Sequence, residues 1–201
     1  MAVALPLFPL HAVLFPGGEM RLRIFERRYL DLVRECSLGE GSFGVCLILA
    51  GSEAEGPALP AAWGTSAGIV DFYTLPDGLL GITARGHSRF HVVRTRVRDN
   101  GIILGEVEFE PGPAPQPLRA EHCLLATLLE RIAEKVGGEL RLAPKACYDD
   151  AAWVGYRLAE LLPLANRQRQ ELLQMRAPDA RLDRLAELLP QLQREGSSEG
   201  A

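Results

Sequence analysis

The sequence predicts an α+β fold: an antiparallel β barrel holding one helix, followed by a C-terminal helical bundle. Three observations lead there. Residues up to about 110 alternate apolar and polar side chains between tight-turn signals. A stretch with proline at every second position, "PGPAPQP" at 111–117, then breaks the pattern. Beyond it the apolar residues recur at helical spacing. A composition 47% hydrophobic and 24% charged supplies enough apolar surface for a core.

The first element is "LPLFPLHAVLFPGG", residues 5–18. It is apolar but carries Pro6, Pro9 and Pro16. No Lys or Arg precedes Arg21, so the charged start of a signal peptide is missing. The prolines also interrupt any helix there. No apolar run reaches the ~18 residues that a membrane span needs, and a cytoplasmic protein is expected. The stretch reads as a first strand with Leu5, Leu7 and Leu10 or Val13 inward. Its prolines fit where no ladder donor is needed, and Pro16-Gly17-Gly18 turns the chain into a second strand, "MRLRIF".

"ERRYLDLVRECS" places Tyr29, Leu30, Leu32, Val33 and Cys36 close to one helical face. "VCLILA" reads as a buried strand, and "GSEAEGPALPAAWG" (51–64) as a loop. "AGIVDFYTL" and "LLGITARG" flank Pro76-Asp77-Gly78, in which Pro presets φ and Gly supplies a positive one. "RFHVVRTRV" and "IILGEVEFE" flank Asp99-Asn100-Gly101. A meander of this size must curl or close to bury its apolar face.

Past the proline spacer, Leu125, Leu128, Leu129, Ile132 and Val136 form a helical stripe ended by Gly137-Gly138. Asp149 or Asp150 can cap a helix that buries Ala151, Val154, Leu158, Leu161 and Leu162. A short helix starts near Asn166. The last starts at Asp179, burying Leu182, Leu185, Ala186 and Leu189, and ends or kinks at Pro190. The expected organisation is a barrel at 1–112, a linker at 113–117, a bundle at 118–193 and a flexible tail at 194–201.

Motifs for chemistry are few. "GEGSFG" (39–44) matches the dinucleotide pattern G-x-G-x-x-G, but a helix precedes it and a strand follows, the reverse of the order that presents a helix N-terminus to phosphate. It reads as a turn. The two lysines, Lys135 and Lys145, follow Glu and Pro, so no Walker loop is present. His87 and His91 supply half a zinc site and no motif supplies the rest. His122 and Cys123 are adjacent on a helix and point apart. The four cysteines read as buried free thiols in a reducing compartment. Arg21, Arg23, Arg27, Arg28 and Arg34 interleave with Glu19, Glu26, Asp31 and Glu35, the pattern of a salt-bridged surface. No catalytic residue, metal site or cofactor is assigned.

The residues line up with one known family. "LPLFPLHAVLFPGG" followed by "LRIFERRYLDLV" resembles the start of the Lon N-terminal domain, the substrate-recognition domain of the ATP-dependent protease La. Gly64-Thr65, Leu75 to Gly78, Gly86 and Arg89-Phe90 resemble its middle. "LAELLPLANRQRQELLQMRAPDARLDRLAELL" resembles its helical end. The resemblance spans about residues 3 to 190. It implies a six-stranded PUA-like pseudo-barrel before a helical bundle, and a role in binding polypeptide and supporting oligomer assembly. A stand-alone member without the AAA+ and protease domains is expected.

The leading reading is therefore a non-catalytic module that binds unfolded or flexible polypeptide, or a partner protein, through an apolar patch between barrel and helices. The aromatics assigned to that contact are Trp63, Phe72, Tyr73 and Trp153, although Trp63 can equally cap the barrel core. One alternative is a PUA-like binder of RNA or nucleotide, against which the net charge of -4 and the acidic "GEVEFE" speak. Another is a small hydrolase using His87, His91 or a cysteine. No membrane partner is expected, and the oligomeric state is open.

Overall fold

The computed structural model describes residues 2–39, 41–51 and 58–198, the side chains of 193–198 excepted. The chain divides after Gly112 into two compact units. The first holds β1 (Val3–Leu10), β2 (Glu19–Ile24), α1 (Arg27–Ser37), β3 (Phe43–Ala50), β4 (Leu59–Thr74), β5 (Leu80–Val97) and β6 (Ile103–Phe109).

The ladder closes on itself. β4 pairs with β5, β5 with β6, β6 with β1, β1 with β3, and β3 with β4 again, while β2 attaches to the first half of β5. The result is a pseudo-barrel. Its pairing is not wholly antiparallel, because β1 and β3 run parallel. The intervening β2 and α1 provide the crossover that a parallel pair requires. Two expected strands, "LLGITARG" and "RFHVVRTRV", form the single 18-residue β5, with a bulge against β4 between Gly86 and Arg89. Part of the expected 51–64 loop is strand, since β4 starts at Leu59. Residues 52–57 of that loop lie outside the described residues.

β1 changes neighbour at Leu7. Residues 3–7 pair with β6 and residues 7–10 with β3. Pro6 and Pro9 thus each sit in a half-strand with one partner, which leaves a flank where a missing donor costs little. Leu5, Leu7, Leu10 and Val13 are all buried. Two clusters fill the unit. In one, α1 sets Tyr29, Leu32 and Val33 against Leu22, Ile24, Phe43 and Ile82. In the other, Leu5, Leu7, Cys46, Phe90, Ile103 and Val107 meet. Each fully buried side chain of this size contributes roughly 1.5–3 kcal/mol.

The second unit contains α2 (Cys123–Val136), α3 (Gly138–Arg141), α4 (Lys145–Tyr148), α5 (Ala151–Leu161), α6 (Asn166–Gln174) and α7 (Pro178–Ser198). The proline stretch is tied to it: Gln116 donates to Asp179 at 2.5 Å and Pro117 bridges to Asp150. Asp150 is the α5 cap, its Oδ1 accepting from Ala152 and Trp153 N–H at 2.8 and 3.3 Å. The α2 stripe is narrower than predicted: Leu125, Leu129 and Ala133 are buried, while Val136 is exposed. α7 continues through Pro190 to Ser198, so it covers the first residues of the expected tail; 199–201 lie outside the described residues. α7 buries Leu182, Leu185 and Leu188, whereas Ala186 is exposed and Leu189 half-buried. The stripe is rotated because Arg181 also points inward.

Candidate functional site

The first two of the three segments that carry the family resemblance converge inside the first unit. Gly64 lies opposite Phe90 in the ladder. A Cβ on Gly64 would come within 2.5 Å of the Val45 carbonyl oxygen and 2.7 Å of the Phe90 ring, and one on Gly44 within 2.6 Å of that ring. These glycines make room for one phenylalanine. Thr65 is buried and donates its hydroxyl to the Leu14 carbonyl at 2.6 Å. Gly17 N–H donates to the Gly86 carbonyl and Gly86 N–H to the Gly18 carbonyl, both at 2.8 Å. The first, middle and "G..RF" motifs therefore hold one another in place. They build the scaffold and leave little side chain to bind anything.

Arg89, buried, pairs with Glu110 at 2.9 Å. Its guanidinium lies 5.8 Å from the Trp63 ring centre, and His91 meets the same ring edge-on at 5.1 Å. Other arginines of the unit are paired with acids: Arg23 with Asp77, Arg28 with Glu26, Arg85 with Glu19, Arg94 with Glu106 and Arg98 with Glu35. A groove of about 580 Å³ beside β6, lined by Ala4, Arg96 and Leu104 among others, is crossed by the Arg94–Glu106 pair. Exposed pairs of this kind are worth little to stability, but they neutralise the cations that a polyanion would need.

Exposed apolar side chains are scattered over the unit, among them Phe25, Leu38, Leu49, Leu59, Val93 and Val97; those on the second half of β4 lie beside a strand edge left unpaired among the described residues. β3 pairs with β4 only up to Ala67. From Gly68 to Thr74, "GIVDFYT", the described neighbour is β5 alone. Val70 is 48% and Phe72 49% exposed there. Phe72 stands opposite Ile82, which stands opposite Leu22 of β2. Directly opposed residues share a face, so Phe72 continues an apolar row and is its open end.

The family model of the ATP-dependent protease La (LON) substrate-binding domain matches residues 4–191. The chain belongs to that family. It is similar to a Lon N-terminal domain protein from Xanthomonas campestris, at 50% identity and a TM-score of 0.78, with 92% of this chain and 98% of that one covered. It also shares the fold of the N-terminal domain of the Lon protease of the Mycobacterium avium complex, at 17% identity and a TM-score of 0.67, with 92% and 97% covered.

Within the first unit of this LON domain the three aromatics assigned from sequence do not form one cluster. Trp63 lies at the barrel end of β4, half-buried between His91 and Arg89. Phe72 and Tyr73 lie nine and ten residues on, up to about 30 Å along an extended strand. Tyr73 folds its ring over Gly81, where a Cβ would collide with it. Trp153 is in the second unit, half-buried and edge-on to Tyr148 at 4.9 Å.

Two polar centres in the helical unit of the LON domain are missed by the sequence reading. Arg181 is fully buried. It donates to the Leu172 carbonyl at 3.0 Å, the Tyr156 hydroxyl at 3.3 Å and the Met175 carbonyl, and its guanidinium lies 4.0 Å over the Tyr156 ring. It closes the C-terminal end of α6, where helix carbonyls lack partners. Buried His122 shares a hydrogen bond with Asp183 at 2.7 Å, and its Nδ1 stands 3.9 Å from Asp179. Glu121, His122 and Asp183 each bring one potential ligand atom within 4.8 Å of the others. His87 and His91 join no such group among the described residues. The cysteines are free thiols, but Cys123 is exposed and Cys147 half-buried, not buried as expected. Burial pushes the Cys46 thiol up to about 12. Burial and then the neighbouring Glu35 charge push Cys36 up as well.

Proposed function

We propose that this domain is a non-catalytic polypeptide-recognition module that serves as an adaptor in protein quality control, engaging unfolded or flexible segments. The observation that carries the reading is half-exposed Phe72 at the open end of an apolar row, with Val70 half-exposed on the same strand. Exposed apolar surface continuous with a core is what unfolded chains bind. Membership of a substrate-binding family supports it. The raised thiols of Cys36 and Cys46 are poor nucleophiles, which favours binding over chemistry. Phe72 is the main contact, with Tyr73 and Trp63 contributing their accessible edges; Trp153, in the second unit, is proposed as a separate contact. No helix of the described residues is long and apolar enough to cross a membrane.

The test is fluorescence anisotropy with labelled, reduced and carboxymethylated lactalbumin, which stays unfolded. Saturable binding that the folded, disulfide-intact form does not compete away is the expected result. Absence of binding to the unfolded form would overturn the proposal.

A further inference from the structure

We infer that the free edge of β4 at residues 71–74 takes an extended polypeptide by strand addition; this rests on the polypeptide-recognition reading above and specifies its mode. The argument starts from the backbone. Leu75 N–H donates to the Leu79 carbonyl at 2.9 Å and closes the β4–β5 hairpin. Along an antiparallel ladder, bonded and unbonded pairs alternate. Counting back through the register, Tyr73–Gly81 and Asp71–Thr83 are bonded pairs. Phe72 and Thr74 therefore turn N–H and C=O away from β5. The Phe72 amide agrees: it donates to Asp71 Oδ1 at 2.9 Å and so lies outside the ladder. Among the described residues no strand pairs with that side.

Outward donors and acceptors repeating every second residue match one partner chemistry, an extended peptide backbone. The side chains narrow the choice. A docked residue beside Phe72 would lengthen the row Leu22, Ile82, Phe72, so it should be apolar. Asp71 stands on the opposite face, and once displaced from the Phe72 amide its carboxylate favours a cation. The fitting occupant is an extended segment with apolar residues on one face and an arginine or lysine on the other. A second copy of this edge fits worse. Antiparallel overlap of 71–74 with itself sets Asp71 opposite Thr74, so the sequence Asp-Phe-Tyr-Thr brings no cation to either carboxylate.

The experiment uses the full chain and a labelled, acetylated peptide of alternating valine and threonine carrying one arginine. A matched peptide is N-methylated at two adjacent central residues, which blocks both of its edges. Thr74→Pro removes an outward N–H and leaves the ladder to β5 intact. The inference predicts that N-methylation and Thr74→Pro each weaken binding at least about tenfold, the worth of one or two ladder bonds. Equal binding of both peptides would overturn strand addition, while binding of unfolded lactalbumin would leave the recognition reading standing. Failure of both lactalbumin and peptide to bind would sink both. A peptide-free dimer dissolved by Thr74→Pro would assign the edge to a second copy and overturn the occupant. If Thr74→Pro does not fold, the two peptides on the native chain decide alone.

Discussion

Replacing Gly64 with alanine should destabilise the barrel in a way that no change at Phe90 repairs. The added Cβ meets three atoms: the Val45 carbonyl oxygen at 2.5 Å, Cys46 Sγ at 2.7 Å and Phe90 Cζ at 2.7 Å. The first is backbone and cannot rotate away. Overpacking of a tight core costs about 1–3 kcal/mol, and a backbone collision belongs at the upper end. Gly44→Ala differs. Its Cβ meets only side-chain atoms, those of Phe90 at 2.6 Å and Leu7 at 2.8 Å. Phe90→Leu alone should cost about 1 kcal/mol. Combined with Gly44→Ala it should cost less than the sum, and combined with Gly64→Ala it should not. Urea unfolding followed by fluorescence in a Trp153→Phe background reads this directly, because Trp63 is then the sole tryptophan. Equal rescue of both glycine variants by Phe90→Leu would refute the assignment of the Val45 carbonyl as the wall.

Further outcomes follow from other parts of the fold. Glu110→Ala leaves the buried Arg89 charge without its 2.9 Å carboxylate and should cost about 3–5 kcal/mol by urea titration, with Glu110→Gln costing less. Asp150→Ala removes an acceptor shared by two amides and should cost about 1 kcal/mol, read from Trp153 in the second unit. Arg181→Lys loses the fork that reaches two carbonyls and a hydroxyl and should lower the second unit's unfolding midpoint, while Arg184→Lys, an exposed partner of Glu171, should leave it nearly unchanged. The Cys46 thiol is held in its neutral form, its pKa raised from 9.0 to about 12. Its contribution is therefore complete below about pH 9 and is lost as pH rises toward 12. Cys46→Ala should flatten that alkaline decline, and a thiol reagent at pH 8 should label exposed Cys123 before Cys46.

Much of the architecture was legible because local chemistry and global fold agree. Gly78 and Gly101 have φ of +83° in the turns where Pro76-Asp77-Gly78 and Asp99-Asn100-Gly101 predict them. Asp150 caps the helix whose stripe follows it. Misreadings arise where a residue serves a distant neighbour. Gly86 looks like a strand break; its real duty is to let the Phe15 carbonyl approach, and β5 continues past it through a bulge. Pro60 and the small residues around it suggest a loop, yet Pro60 pairs opposite Ile48 among register shifts where β4 begins. The parallel β1–β3 pair depends on topology that no local pattern encodes. The same holds for the binding surface. Alternation can mark Phe72 as a strand aromatic, but its exposure follows from the β3–β4 pairing stopping at Ala67. Arg181 reads as a surface charge on an amphipathic helix. The faint sequence signal was Gly155 beside Tyr156, a gap and a ring that receive its stem and guanidinium.

The central claim is that this domain recognises polypeptide at the open edge of β4. Amide hydrogen exchange on the full chain, with and without the unfolded lactalbumin probe, tests it most directly. The account predicts that the Phe72 and Thr74 amides gain protection when the probe binds, while Tyr73 and Asp71, already bonded to β5, change little. Binding of the probe with protection confined to the helical unit, or with none along 68–74, would contradict it.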